Sequence, residues 1–269
     1  MSVIEILGYI GAAIIGISLG LIGGGGSILT VPVLVYLLAV EPVLATAYSL
    51  FVVGSSSLIG AINYARKGLL SFKTAIVFAI PALIAVYLTR LYLVPALPEV
   101  WFTVGDFTMT KSIGILVLFA LLMIFASYSM IKSNGKGKNG DEESQPVFNF
   151  PMIFVEGIVV GILTGLVGAG GGFLIIPALV LFAKLPMKLA VGTSLLIIAA
   201  KSLIGFIGDI QADQPIDWTF LLIFSSISVV GIFIGSYLST FIDGKKLKKA
   251  FGWFVLIMGL FMIVKELFL

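Results

Sequence analysis

A chain of 269 residues that is 60% hydrophobic and 11% charged, with mean hydropathy +1.21, cannot hide its apolar surface in a water-soluble fold, so its solvent is the bilayer. It has no cysteine and no histidine, which excludes disulfides, Cys/His metal centres, thiol nucleophiles and Ser-His-Asp chemistry. The formal net charge of +3 is small and sits in loops, a pattern that suits a positive-inside bias and gives no basic, aromatic-interleaved patch for nucleic acid.

Ten apolar runs follow one another along the chain. The first, residues 3–22, lacks a basic n-region and a cleavage site and reads as a retained helix. The second, 27–40, is short and follows Gly23, Gly24, Gly25 and Gly26. Runs 44–64, 73–94 and 111–131 come next, each near the roughly 20 residues that span a bilayer. Residues 132–149 are polar and glycine-rich, a linker between two transmembrane halves, 1–131 and 150–269. The second half begins with 151–167, then a short run, 172–184, behind Gly168, Gly170, Gly171 and Gly172. Runs 189–208, 218–241 and 250–268 complete it.

The halves repeat. Residues 16–62 recur without a gap as 161–207, and the centres read GLIGGGGSILTVPVL and GLVGAGGGFLIIPAL. Pro32 falls on Pro177, Ser49 on Ser194, and Gly60 on Gly205. Five segments per half is an odd number, so the second copy enters the membrane with opposite polarity. The expected fold is an all-α polytopic membrane protein of two inverted-topology repeats, with short broken or re-entrant helices after the glycine motifs.

Loop charges set the orientation. Arg66, Lys67, Lys73, Lys132, Lys136, Lys138, Lys184, Lys188 and the lysines of 245–249 fall on one side, whereas Asp209, Asp213 and Asp217 fall on the other. The positive-inside rule makes the basic side and the linker cytoplasmic and both termini external, in the cytoplasmic membrane of the cell. A first pair of segments that enters and returns on the same side leaves this parity unchanged.

The glycine clusters are the first candidate site. Glycine accepts turns other residues resist and lets a ligand approach the main chain. The helices expected to start near Ser27 and near Phe173 present bare amide N–H groups and a dipole that favours an anion. Tight helix crossing is the structural alternative. Lys201 is the sharpest single residue, a charge inside VGTSLLIIAAKSLIGFIG. Helical spacing puts Ser194 and Lys201 on one face and their equivalents Ser49 and Ser56 on the matching face. Lys201 serves an anion or a proton, or else snorkels to the outer interface. Tyr48 and Thr193 add hydroxyls at equivalent positions. Arg90, near the outer end of its run, is expected to snorkel, and Asp209 is given no partner.

The duplicated G-L-[IV]-G-[GA]-G-G-[GS]-[FI]-L-x-[VI]-P-x-L block, followed by A-x-[GA]-[TY]-S-L, resembles the sulfite exporter TauE/SafE family of bacterial and archaeal membrane permeases. The resemblance covers both halves outside the linker and loops. It implies export, or in some relatives uptake, of small sulfur-containing anions such as sulfite, sulfoacetate or other organosulfonates. The motif positions map to Gly23, Gly25, Gly26, Pro32 and Ser49, and to Gly168, Gly170, Gly171, Pro177, Thr193 and Ser194. The halves differ at Tyr48 against Thr193 and at Ser56 against Lys201.

The expectation is therefore a secondary transporter for a small sulfur anion, with protons as a candidate coupling ion and no cofactor. No P-loop is present for ATP. An anion channel and an accessory membrane subunit are the alternatives, while an enzyme is disfavoured by the absence of His and Cys.

Overall fold

Glycine and proline mark where the helices of this chain stop and start. The computed structural model describes residues 3–104, 107–132, 150–168, 170–172, 175–176, 179, 185–238 and 244–268. The linker residues 133–149, Pro177, Lys184 and the expected helix start at Phe173 lie outside the described residues.

Helix α1 (Val3–Ile22) ends at Gly23, whose φ of +73° is open to glycine and strained for other residues. Helix α2 follows at once and is irregular: 3-10 turns over Gly24–Leu29, one α turn at Thr30–Pro32 and a π-helical stretch at Val33–Leu37. A Cβ on Gly11 would meet Val33 at 2.7 Å, one on Gly8 would meet Leu38, and one on Gly26 would meet Ser18. Numbers rise along one helix as they fall along the other, so α1 and α2 form an antiparallel hairpin with its tip at the glycines. The short second segment therefore turns back along the first.

Helix α3 (Pro42–Arg66) starts with Pro42 in its first turn and with the Glu41 carboxylate accepting from Leu44 N at 2.9 Å. Helix α4 (Phe72–Leu88) is capped by Ser71, carries Pro81 inside, and runs on through a π-helical turn at Thr89–Leu93 and a short turn at Val94–Ala96. A two-stranded antiparallel hairpin, β1 (Val100–Val104) and β2 (Phe107–Thr110), follows and is fastened by the Lys111–Glu99 ion pair at 2.6 Å. Apolar runs alone gave no sign of it. The remaining helices are α5 (Lys111–Lys132), α6 (Phe150–Val167), α7 (Met187–Gln211), α8 (Trp218–Leu238) and α9 (Gly244–Phe268).

Among the described residues, five helices are long and apolar enough to cross a membrane: Pro42–Arg66, Phe72–Ala96, Lys111–Tyr128, Lys188–Gln211 and Trp218–Leu238. Large apolar side chains stay on the outside, such as Ile76, Ile80, Ile84 and Leu88 on one stripe of α4. Such a stripe is disfavoured in water and suits lipid tails. The chain is an all-α multi-pass membrane protein.

The two most buried spans, α3 and α7, form the centre. Phe51 meets Phe206 with ring centroids 5.0 Å apart, and a Cβ on Gly54 would lie 2.9 Å from Leu203, so these helices cross antiparallel. Around them α1 packs on α8, α6 on α4 and α5 on α9, while α4 also contacts α7 and α8 contacts α3. Exchanging α1 with α6, α3 with α7, α4 with α8 and α5 with α9 leaves this set of partners unchanged. Small residues permit the closest crossings: Gly16 and Gly20 lie against Gly231 and Gly235, whose backbones a Cβ would strike.

Candidate functional site

The tips of the glycine motifs are tucked against the central helices. A Cβ on Gly23 would lie 2.8 Å from Val191 of α7, and one on Gly168, at φ +67°, would lie 2.5 Å from Thr46 of α3. Thr46 and Val191 are equivalent positions of the repeat. Between these tips the motifs come side by side. A Cβ on Gly170, at φ +63°, would lie 3.2 Å from Cβ of Ser27, 2.5 Å from Val53 and 3.4 Å from Ile198. Val53 and Ile198 are again equivalents. The two breaks thus share one place, at the crossing of α3 and α7.

The first turn of α2 closes with Gly26 N donating to Gly23 O at 3.4 Å. The helical turns begin at Gly24, so this segment starts three residues earlier than expected at Ser27. Ser27 itself is fully buried beside Gly170. On the other motif, Gly168 N donates to Thr164 O at 2.9 Å and Gly171 takes φ +67°. Gly172 is buried with it.

Lys201 belongs to this place. Its side chain is 1% exposed, and Nζ donates to Thr164 Oγ1 at 2.9 Å. Thr164 Oγ1 donates onward to Val160 O at 2.7 Å. A Cβ on Gly171 would lie 2.7 Å from Nζ. The ammonium therefore points at the second glycine break and does not snorkel outward. Among the described residues no carboxylate pairs with it.

The hydroxyls divide. Among the described residues, Ser49 Oγ, Ser57 Oγ and Ser202 Oγ are buried without a hydrogen-bond partner, and Ser57 and Ser202 are equivalent positions. Ser194 Oγ turns back to Val191 O at 2.8 Å. Ser56 Oγ donates to Ser228 Oγ at 3.1 Å, toward α8 and away from the Lys201 contact. Tyr48 Oη accepts from Asp217 N at 2.7 Å, and Thr193 Oγ1 accepts from Ser71 N at 3.0 Å. Asp217 precedes α8 and Ser71 precedes α4, so two unlike residues tie matching loops to matching helices. The hydroxyls of Tyr48, Thr193 and Ser56 are thus engaged with neighbouring loops and helices.

Arg90 departs from expectation. It is fully buried, with Nε donating to Asp209 Oδ2 at 2.8 Å and Nη1 to Thr46 Oγ1 at 2.9 Å. A carboxylate on the neighbouring helix gives the guanidinium a partner that the water interface would otherwise supply, so it does not snorkel. The only hint in the sequence was an Arg and an Asp inside apolar runs, and their meeting depends on how α4 packs on α7.

The sulfite exporter TauE/SafE family profile matches residues 9–265. The chain belongs to that family. A probable membrane transporter protein of Xylella fastidiosa (strain 9a5c) is 30% identical over 261 residues, covering 93% of this chain and 91% of the relative. The probable membrane transporter protein YunE of Bacillus subtilis (strain 168) is 28% identical, over 91% of this chain and 89% of its own length. No solved structure matches the chain. With its apolar helices, this TauE/SafE protein is a transmembrane transporter of the family.

Proposed function

We propose that the chain is a secondary transporter that exports a small sulfur-containing anion, such as sulfite or an organosulfonate, from the cytoplasm by alternating access. The observation that carries this reading is the packing of Gly170 on Ser27, which brings both glycine breaks to one buried place next to Lys201. Amide groups at a helix start and an ammonium both favour negative charge, and in hydrocarbon neither is screened by water. The guest sits between Gly23–Gly26 and Gly168–Gly172, with Ser27, Ser49 and Lys201 completing its shell.

Two inverted repeats, 1–131 and 150–269, suit this task. The reading is supported by the exchange-invariant set of helix partners and by the antiparallel crossing of α3 and α7. Rocking one glycine hairpin against the central helices opens the guest place to one side at a time. Ser27 and Lys201 are both buried to within 1%, away from bulk water. That favours a carrier over a standing pore.

Direction follows from orientation and electrostatics. With the basic loops and the 132–149 linker cytoplasmic, an anion leaving the cell moves down an inside-negative potential, worth about 2.3 kcal/mol per charge per 100 mV. Lys201 is also the group at the break able to exchange a proton, which makes proton coupling testable.

The test is thermal stabilisation of the purified protein by sulfite, thiosulfate, sulfate, sulfoacetate and taurine, followed by flux in proteoliposomes. At least one sulfur oxyanion should raise Tm in a saturable way and be carried. Sulfite is reactive and needs a chemical control. A protein stabilised by none and carrying none would sink the reading, while single-channel currents would convert it to a channel.

A further inference from the structure

Arg90 and Asp209 stand apart from the Lys201 contact, yet both are buried in the membrane interior. Nε and Nη1 of Arg90 are taken by Asp209 and Thr46, but Nη2 is buried with no hydrogen-bond partner among the described residues. A guanidinium offers five N–H donors in a planar fork, and leaving one edge bare in hydrocarbon is unfavourable. Arg90 sits in the π-helical turn Thr89–Leu93 that interrupts α4, a distortion frequent at functional sites.

Its position relates it to the glycine break. Thr46, which holds Nη1, is the residue that a Cβ on Gly168 would touch at 2.5 Å. Lys201 stands at the other end of the same break, against Gly171. Two cations therefore flank one glycine-rich turn, and among the described residues Asp209 is the carboxylate ion-paired to either of them. As ammonium, guanidinium and carboxylate, Lys201, Arg90 and Asp209 leave one positive charge uncompensated in an apolar medium.

We propose that Arg90 forms a second anion subsite beyond Gly168, where its free Nη2 holds the oxygens of a sulfite or sulfonate group passing to or from Lys201. Asp209 competes with that anion for the guanidinium. The inference rests on the reading that this chain carries such an anion. Arginine suits the task because its guanidinium keeps the Nη2 donors available while Nε and Nη1 stay bound to Asp209 and Thr46, which the single nitrogen of a lysine cannot do.

The experiment is anion titration of the full-length purified protein by thermal shift, using sulfate, methanesulfonate and sulfite, with each variant compared with its own anion-free baseline. Asp209→Asn should tighten anion binding several-fold, because it frees the guanidinium and adds a positive charge. Arg90→Gln combined with Asp209→Asn removes the pair together, leaves no lone buried charge, and should weaken binding at least tenfold. Arg90→Lys keeps the charge without the fork and should weaken binding several-fold, which decides the matter if the double variant does not fold. A purely structural ion pair predicts shifted baselines with wild-type affinity in all three, and that result overturns the subsite. Wild-type protein unresponsive to every anion overturns the carrier reading itself, and the subsite with it.

Discussion

Gly171 and Lys201 are in contact at a point where no methyl group fits: a Cβ on the glycine would stand 2.7 Å from Nζ. The same Cβ would strike Thr164, the partner of that ammonium. One missing side chain thus lets the buried cation and its threonine partner pack directly on the glycine turn.

Gly171→Ala should abolish this arrangement. At φ +67° a side chain is strained by roughly 1–2 kcal/mol before any collision is counted. The control is Gly68→Ala, at φ +68° with nothing within 4 Å of a Cβ. Both variants bear the strain, but only Gly171→Ala should lose anion-dependent stabilisation and proteoliposome flux. Equal behaviour of the two would remove Gly171 from the site.

Lys201→Met should part stability from function. Replacing a buried cation that lacks a carboxylate partner with an apolar residue of similar length relieves desolvation, so Tm should hold or rise. Flux should fall at least tenfold. A variant that carries anions normally while remaining inserted would exclude Lys201 from binding.

Tyr48→Phe and Thr193→Val should behave alike, although the residues are unlike. Each deprives one backbone N–H, of Asp217 or of Ser71, of its acceptor, at a cost of about 1–3 kcal/mol. Both should lower Tm and leave anion affinity unchanged within twofold. A tenfold loss of affinity in either would return that hydroxyl to the binding shell.

Orientation can be read with single cysteines, because the chain has none of its own. Lys67 and Pro215 are exposed in connections on opposite sides. In right-side-out vesicles an impermeant maleimide should label Pro215→Cys and spare Lys67→Cys until the vesicles are opened. The reverse pattern would invert the topology and the direction argued from it.

The positions of most helices were legible in the chain itself, because apolar runs of spanning length and glycine–proline punctuation are local signals that hydrocarbon solvent enforces. The repeat singled out Gly170, and a charge inside an apolar run singled out Lys201, before any packing was known. The β1–β2 hairpin was not legible, since its apolar strands resemble the end of a span. Neither was the helix start at the first break, which depends on which glycine takes a positive φ.

Sequence alone thus determined that this protein lives in a bilayer, is built twice, and breaks its helices at glycine, all consequences of hydropathy and backbone freedom residue by residue. Tertiary structure decided which buried polar groups meet. Arg90 finds Asp209 across 119 residues, Ser56 turns to Ser228 while Lys201 turns to Thr164, and Tyr48 is fixed to a loop. The reason is physical: in an apolar medium an unpaired polar group is costly, and which partner it finds depends on the neighbouring helix, which periodicity does not encode.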